Sequence, residues 1–303
     1  MAVASTPRLD GGGGLADHAP AMHRSNTPQP SLLMQVVERS PAYVAAQDRD
    51  AWLALFSRDG VVEDPVGAAP NHRDALAGFF NTFIAGNEIR FEVIEDLTAG
   101  HEVVRDVVIH TRLSTGLTIE VPALLLYELV DEDGALRIRR LRAVWDLRRR
   151  SIGALAAGLR GLWTLCAVSL QMLRMQGLSG VLGYSRGLVS GIFGDGAATL
   201  ERLSAAIRAG DPAAAEALFA VDATVEFPVG TPLSVHTWLA QLGPGAQLRT
   251  THATSAGWLT ACRFSVEGGA LAGAGGVAFL EFDPKTRKLV TARFFARAVS
   301  PDR

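Results

Sequence analysis

Residues 61–67 read VVEDPVG, and residues 224–230 read TVEFPVG. Both segments contain Val-Glu followed, one residue later, by Pro-Val-Gly. The central residue differs, because Asp64 of the first segment corresponds to Phe227 of the second. The chain is therefore predicted to contain one fold twice, with a candidate catalytic acid in the first copy alone.

Length and composition agree with two globular domains. A chain of 303 residues is long enough for two hydrophobic cores, and 48% hydrophobic with 20% charged residues is an ordinary globular composition. The net charge of −2 argues against nucleic acid as a partner. Cys166 and Cys262 lie far apart in apolar sequence and are expected to be buried thiols. Residues 1–30 have no apolar signal-peptide core, so a disordered tail and a cytoplasmic protein are expected.

Helical and strand patterns follow one another in the same order in both halves. Residues 31–56 and 73–85 have apolar residues at helical spacing, whereas residues 89–147 read as strands separated by turn signals. Residues 197–303 repeat this order. Helices followed by a meander of antiparallel strands predict an α+β domain, in which a curved sheet wraps around helices to form a cone with an internal pocket.

The predicted organisation is therefore two tandem cone-shaped domains joined by a helical linker. The first domain spans residues 31–150, the linker residues 151–195 and the second, degenerate domain residues 196–303. A fused pair can take the place of a symmetric dimer, so an intramolecular pseudo-dimer is expected, with a homodimer as the alternative.

The linker region has an unusual charge distribution. Residues 148–194 contain six arginines and no acidic residue. The apolar run between Arg160 and Arg174 is shorter than the about 20 residues that cross a bilayer. One interpretation is a basic amphipathic helix that lies on the cytoplasmic face of an anionic membrane. The other is a helix that packs between the domains or closes the pocket.

The first half resembles a known family. With VVER at residues 36–39 and Leu55-Phe56, the VEDPVG of residues 62–67 resembles bacterial Δ5-3-ketosteroid isomerases. These belong to the nuclear transport factor 2-like superfamily, together with polyketide-cyclase and epoxide-hydrolase relatives. The resemblance covers about residues 31–148. It implies a cystatin-like cone and a cofactor-independent isomerase that moves a proton along a steroid or similar hydrophobic enone.

The resemblance also implies roles for individual residues. An aspartate acts as base, while a tyrosine and a protonated aspartate donate hydrogen bonds to the enolate oxygen. Asp64 matches the base. Ser40 stands at the tyrosine position, with Tyr43 one helical turn further as the substitute donor, and Leu126 stands at the position of the second donor. Trp145 matches the aromatic residue of the pocket. The other predicted substrate-binding residues are aromatic: Phe56, Phe79, Phe80 and Phe83.

Asp64 suits the role of base for reasons independent of the family. A carboxylate in an apolar cone loses hydration, which raises its pKa and makes it a better proton acceptor. The competing interpretation is a turn carboxylate that bonds its own backbone before Pro65.

Two other functions remain open on the same fold. Epoxide opening or polyketide cyclisation would need a second acid, for which Glu92 is the nearest candidate. A non-catalytic protein that binds sterols or lipids is the third hypothesis. His236, His252 and Cys262 lack metal-ligand spacing, and the sequence contains no phosphate loop, dinucleotide fingerprint or nucleophile elbow. We therefore expect neither a metal nor a cofactor, and a hydrophobic small molecule as substrate.

Overall fold

The structure is a computed structural model that describes residues 29–114, 116–156 and 158–297. Nearly all of the predicted disordered tail, residues 1–28, lies outside the described residues.

The first half consists of helices followed by a six-stranded sheet. Its helices are α1 (Pro30–Ala45), α2 (Arg49–Ala54) and the short α3 (Leu76–Phe79), which lies between a 3₁₀ turn (Arg73–Ala75) and a π turn (Phe80–Ile84). Its strands are β1 (Phe56–Glu63), β2 (Asn71–His72), β3 (Glu88–Ala99), β4 (Glu102–Arg112), β5 (Thr118–Glu132) and β6 (Ala135–Val144). The strand order is β2-β1-β6-β5-β4-β3, with β1 parallel to β6 and the other neighbours antiparallel.

Two helices connect this sheet to the second half, which repeats the topology. The connecting helices are α4 (Leu147–Ala156) and α5 (Leu159–Val189). The helices of the second half are α6 (Gly194–Ala209), α7 (Pro212–Glu216) and α8 (Val235–Leu242). Its strands are β7 (Phe219–Glu226), β8 (Pro232–Ser234), β9 (Gln247–Ala256), β10 (Leu259–Glu267), β11 (Gly275–Phe282) and β12 (Leu289–Ala296). Their order, β8-β7-β12-β11-β10-β9, matches that of the first sheet strand for strand. The predicted α+β fold and its duplication are confirmed.

Periodicity explains how the core of the first half is built. Along α1 the buried side chains are spaced three or four residues apart, so that one face of the helix meets the sheet: Leu33, Val36, Val37, Ser40 and Val44. Along β5 the residues alternate between two faces. Leu125 and Tyr127 belong to the core that contains α1, whereas Leu124 and Leu126 face away from it.

The second face of the first sheet packs on the second sheet. A separate hydrophobic cluster joins strands of both halves and includes Leu124 and Leu126 from β5 with Leu259, Phe279 and Phe295 from the second half. Leu126 is fully buried there. The strand turns this side chain toward the second domain, which argues against the predicted contact of Leu126 with a substrate beside Asp64.

The turn after Asp64 also contacts the second half. Gly67 has φ +91°, and Gly257, between β9 and β10, has φ +55°. A Cβ atom on either glycine would collide with the backbone of the other. Glycine is needed at both positions because the backbone is left-handed and two main chains approach closely.

Ion pairs surround the apolar interface. Arg263 Nη2 lies 3.0 Å from Asp106 Oδ1, Arg293 Nη2 lies 2.6 Å from Glu102 Oε2, and Arg142 Nη1 lies 2.7 Å from Glu281 Oε1. Each pair joins one half of the chain to the other. Asp106 is buried, so its charge depends on Arg263 for compensation.

We expect Arg263→Met to destabilise the chain by about 3 kcal/mol, because it leaves the buried Asp106 carboxylate without its partner. Urea denaturation of the variant measures the effect. Arg249→Met is the matched control, since Arg249 pairs with Glu267 where both side chains are exposed, and its loss should cost less than about 1 kcal/mol. The double variant Asp106→Leu/Arg263→Met should recover most of the stability. Equal losses in the two single arginine variants would contradict a buried, structural role for Asp106.

Candidate active site

Asp64 and Trp145 meet because they follow two parallel neighbouring strands. Asp64 comes directly after β1, and Trp145 follows β6, whose Arg142 is in register with Glu63. The ends of parallel strands lie at the same edge of a sheet. Trp145 Nε1 donates a hydrogen bond of 2.6 Å to Asp64 Oδ1. The structure thus brings the predicted base and the predicted pocket aromatic together.

Burial controls the proton affinity of Asp64. Loss of hydration raises the pKa of its carboxyl group from 3.8 to about 6, and the hydrogen bond from Trp145 lowers it in part. At neutral pH the group is therefore mostly ionised, yet it holds a proton far better than an exposed aspartate. A pKa of about 6 suits a carboxyl group that takes a proton from a carbon atom and later returns it.

Tyr127 is a buried phenol close enough to respond to the charge of Asp64. Burial raises its pKa to about 12, Arg105 and a hydrogen bond with Ser40 lower it, and the negative charge of Asp64 raises it. Ser40 Oγ accepts a hydrogen bond of 3.2 Å from Trp52 Nε1. The Ser40 hydroxyl can then give its own proton to the Tyr127 oxygen, which leaves the Tyr127 proton free for a ligand.

Tyr184 reaches the same region from the linker helix. Burial and the charge of Asp64 both raise its pKa far above the usual value for tyrosine. Its ring stacks on Phe83 with 5.4 Å between the ring centroids. The backbone of Gly183 holds this part of α5 in place by accepting a 2.9 Å hydrogen bond from Ala69 N, just beyond the Asp64 turn. Tyr184 and Tyr127 are thus neutral hydroxyl donors at physiological pH.

The remaining predicted residues lie at different depths of the first domain. Ser40 is buried and supports Tyr127. Tyr43 is partly buried on α1 and packs against the core. Three aromatic rings surround Trp52, with centroids 4.7 to 6.1 Å away: Phe56, Phe79 and Phe80. A role for Tyr43 in catalysis, or for these rings in substrate binding, stays a prediction.

The linker helix α5 packs on the first domain. Gln171 Nε2 donates to the carbonyl of Asn81 at 2.8 Å, Gln176 Nε2 donates to Thr82 Oγ1 at 3.0 Å, and Met172 is buried. These contacts bring α5 over the π turn that carries Phe83. The inner side of α5 therefore packs on the first domain, while a helix that lies between the domains or closes the pocket, and a helix that lies on a membrane, both stay predictions.

Sequence patterns did not identify Tyr127 or Tyr184. Three tyrosines occur in the chain, and Tyr184 lies in a segment with no acidic residue and no catalytic motif. Only long-range packing brings it close enough to Asp64 for its pKa to respond to that charge. The one signal in the sequence that could have pointed to these two residues is that tyrosine is rare in this chain.

The second domain has no equivalent site at the corresponding position. Phe227 follows β7 as Asp64 follows β1, and it packs against Phe264 and Phe294 with centroids 5.7 and 5.0 Å away. An aromatic cluster therefore fills the interior that a carboxylate faces in the first domain.

The cysteines differ from expectation, and the described residues contain no metal cluster. Cys262 is buried as predicted, but Cys166 is exposed on α5, so the prediction of two buried thiols is wrong for Cys166. Its apolar neighbours suggested burial, yet this helix exposes much of its apolar surface. Within residues 29–114, 116–156 and 158–297, no group of three or more His, Cys, Asp or Glu side chains is arranged to hold a metal ion.

Comparison with known proteins identifies the first domain. The family model of the SnoaL-like domain matches residues 37–140. The chain therefore belongs, through its first domain, to the SnoaL-like family of the nuclear transport factor 2-like superfamily. No curated protein sequence matches the chain.

Solved structures that match include a ketosteroid isomerase, a protein in complex with a steroid derivative and an epoxide hydrolase. A Mycobacterium tuberculosis protein in complex with estradiol-17beta-hemisuccinate is 30% identical over 38% of this chain and 94% of that chain, with a TM-score of 0.35. Δ5-3-ketosteroid isomerase from Mycobacterium sp. is 30% identical over 38% of this chain and 93% of that chain, with a TM-score of 0.35. An epoxide hydrolase from M. tuberculosis is 19% identical over 46% of this chain and 98% of that chain, with a TM-score of 0.36.

Proposed function

We propose that the first domain is a cofactor-independent isomerase that converts a hydrophobic β,γ-enone, such as a steroid, to its conjugated isomer. The observation that carries this proposal is the partly buried Asp64 carboxylate, which accepts a hydrogen bond from Trp145 and has a pKa of about 6. The resemblance of residues 62–67 to ketosteroid isomerases supplies the substrate class.

The proposed reaction uses Asp64 twice. Its carboxylate removes a proton from the carbon α to the carbonyl, and the electrons move to the carbonyl oxygen to form a dienolate. The protonated Asp64 then delivers the same proton to the γ carbon, which restores the carbonyl and leaves the double bond conjugated. The proton is conserved, so the reaction needs no oxidant, reductant or cofactor.

Tyr127 and Tyr184 are the proposed donors to the dienolate oxygen. Raised pKa values keep both hydroxyl groups protonated at neutral pH, and both groups respond to the charge of Asp64. They would replace donors at the positions of Ser40 and Leu126, of which Ser40 supports Tyr127 and Leu126 faces the second domain. Hydrogen bonds to a developing oxyanion in a dry site are among the strongest contributions to catalysis.

Ultraviolet absorbance of the conjugated enone tests the proposal directly. The full chain is incubated with a β,γ-unsaturated 3-ketosteroid, and an absorbance increase above the uncatalysed rate is expected. Retention of the steroid without turnover would favour the binding-protein hypothesis and contradict the isomerase.

We expect Tyr127→Phe or Tyr184→Phe to lower kcat by about 10²-fold, because each substitution removes one oxyanion donor while keeping the ring. Initial rates of conjugated-enone formation measure this effect. Tyr43→Phe is the matched control, because it alters the third tyrosine of the chain. Its kcat is expected to change little. A large loss in the Tyr43 variant with none in the other two would return the donor role to Tyr43.

Epoxide opening is less well supported by the same residues. Glu92, the predicted second acid, is exposed and lies 3.1 Å from His110 Nε2 on the neighbouring strand. The pKa of Asp64 responds to burial and to Trp145, with no contribution from a second carboxylate among the described residues. These observations on the described residues therefore favour a mechanism with Asp64 as the single carboxylate over one with two cooperating acids.

A further inference from the structure

The linker helices carry an exposed apolar surface that the proposed reaction does not explain. On the first half of α5, exposed side chains recur at each turn of the helix: Leu159, Leu162, Trp163, Cys166, Leu170 and Leu173. Beyond the kink at Gly177, where the backbone leaves helical geometry, Leu178, Leu182 and Val189 are also exposed. Leu159 is 86% exposed. We call this surface the linker face.

The linker face is opposite to the side that packs on the first domain. Met172, Gln171 and Gln176 make the contacts with the first domain, and they lie between the exposed positions along the helix. A spacing of three or four residues puts the exposed residues on one side of a helix. Packing against the domain and an exposed apolar side are therefore both properties of α5.

Positive charge is the only charge in this region. Residues 147–194 contain six arginines and no Asp, Glu, Lys or His. Arg149 and Arg174 are exposed. A basic helix with leucine and tryptophan on one side is typical of proteins that lie in the interface of an anionic bilayer.

We propose that the linker face docks on an anionic lipid bilayer. A second copy of this chain is a poorer occupant, because pairing two such surfaces would bring arginines together with no acid to neutralise them. None of the helices among the described residues is long and apolar enough to cross a bilayer. Docking therefore means that the helix lies in the plane of the interface, with its side chains among the headgroups.

The docking proposal is independent of the proposed isomerase, although the two are compatible. The same helix carries Tyr184 toward Asp64. Docking would place the site beside the phase in which an apolar substrate dissolves.

Vesicle flotation of the full chain tests the proposal. Binding is expected to vesicles of phosphatidylcholine mixed with phosphatidylglycerol and to be much weaker with phosphatidylcholine alone. Neutralising two exposed arginines in Arg149→Gln/Arg174→Gln should weaken partition about 30-fold, since each basic residue near an anionic surface contributes about fivefold. Leu159→Asp/Trp163→Asp should abolish binding.

Val221→Asp is the matched control, because Val221 is a fully exposed apolar residue of the second domain. This variant should bind vesicles like the unmodified chain, and circular dichroism should show that all variants fold. No binding to anionic vesicles, or equal binding to neutral ones, would overturn the proposal. It would also be overturned if sedimentation velocity showed self-association that Leu159→Asp/Trp163→Asp abolishes, without any effect of lipid.

Discussion

Asp64→Asn is expected to lower kcat for enone isomerisation by about 10²–10⁴-fold, the usual contribution of a positioned base. The amide keeps the size of the side chain and can still accept the hydrogen bond from Trp145. It cannot take a proton from carbon. Ultraviolet absorbance of the conjugated product measures the loss, and an unchanged rate would remove Asp64 from the mechanism.

The same substitution is expected to stabilise the folded chain at neutral pH. Because the pKa of Asp64 is raised from 3.8 to about 6, the folded chain binds this proton more tightly than the unfolded chain. The free energy of unfolding therefore falls as the pH rises from about 4 to about 6, and the loss is complete above that window. Asn removes this ionisation, so the variant should be about 1–3 kcal/mol more stable at pH 7.

Urea denaturation at two pH values checks the stability effect. The variant and the unmodified chain should be nearly equal below pH about 4, where Asp64 is neutral in both states, and should differ at pH 7. In the unmodified chain, kcat/KM should rise with pH through an apparent pKa of about 6, because only the ionised carboxylate is a base. A stability difference that does not change with pH would mean that ionisation of Asp64 does not cause it.

Leu126→Asp is expected to destabilise the chain by about 4 kcal/mol or more and to add no isomerase activity. The resemblance to ketosteroid isomerases alone would suggest the opposite, namely that an acid here restores an oxyanion donor. In the structure Leu126 is fully buried between the two sheets, among Val104, Leu259 and Phe279. The substitution would remove apolar contacts and bury a carboxyl group in their place, beside a cross-strand neighbour, Arg142, that is already paired with Glu128 and Glu281.

Denaturation and turnover assays of one protein preparation test this expectation. Val221→Asp introduces the same carboxylate at a fully exposed position and should change the free energy of unfolding by less than about 0.5 kcal/mol. A stable Leu126→Asp variant that isomerises faster than the unmodified chain would place residue 126 beside the substrate and contradict the register of β5.

Local patterns in the sequence were sufficient to predict the duplicated fold. The pair of Pro-Val-Gly segments and the order of helices and strands predicted two α+β domains, which the matching strand orders confirm. The position of Asp64 after a strand and before Pro65 is also a local property. These features can be predicted from the sequence because helix periodicity, strand alternation and turn residues depend on near neighbours in the chain.

Tertiary structure decided which residues surround Asp64. In residues 123–127 (ALLLY), both faces of β5 are buried, so the apolar sequence carries no sign of which face is the interior. Packing assigns Tyr127 to the first domain and Leu126 to the interface. Tyr184 arrives from a helix 120 positions further along the chain, and no local pattern encodes that contact. The sequence by itself therefore determined the fold and the candidate base, whereas the partners of that base depend on packing between segments that are distant in the chain.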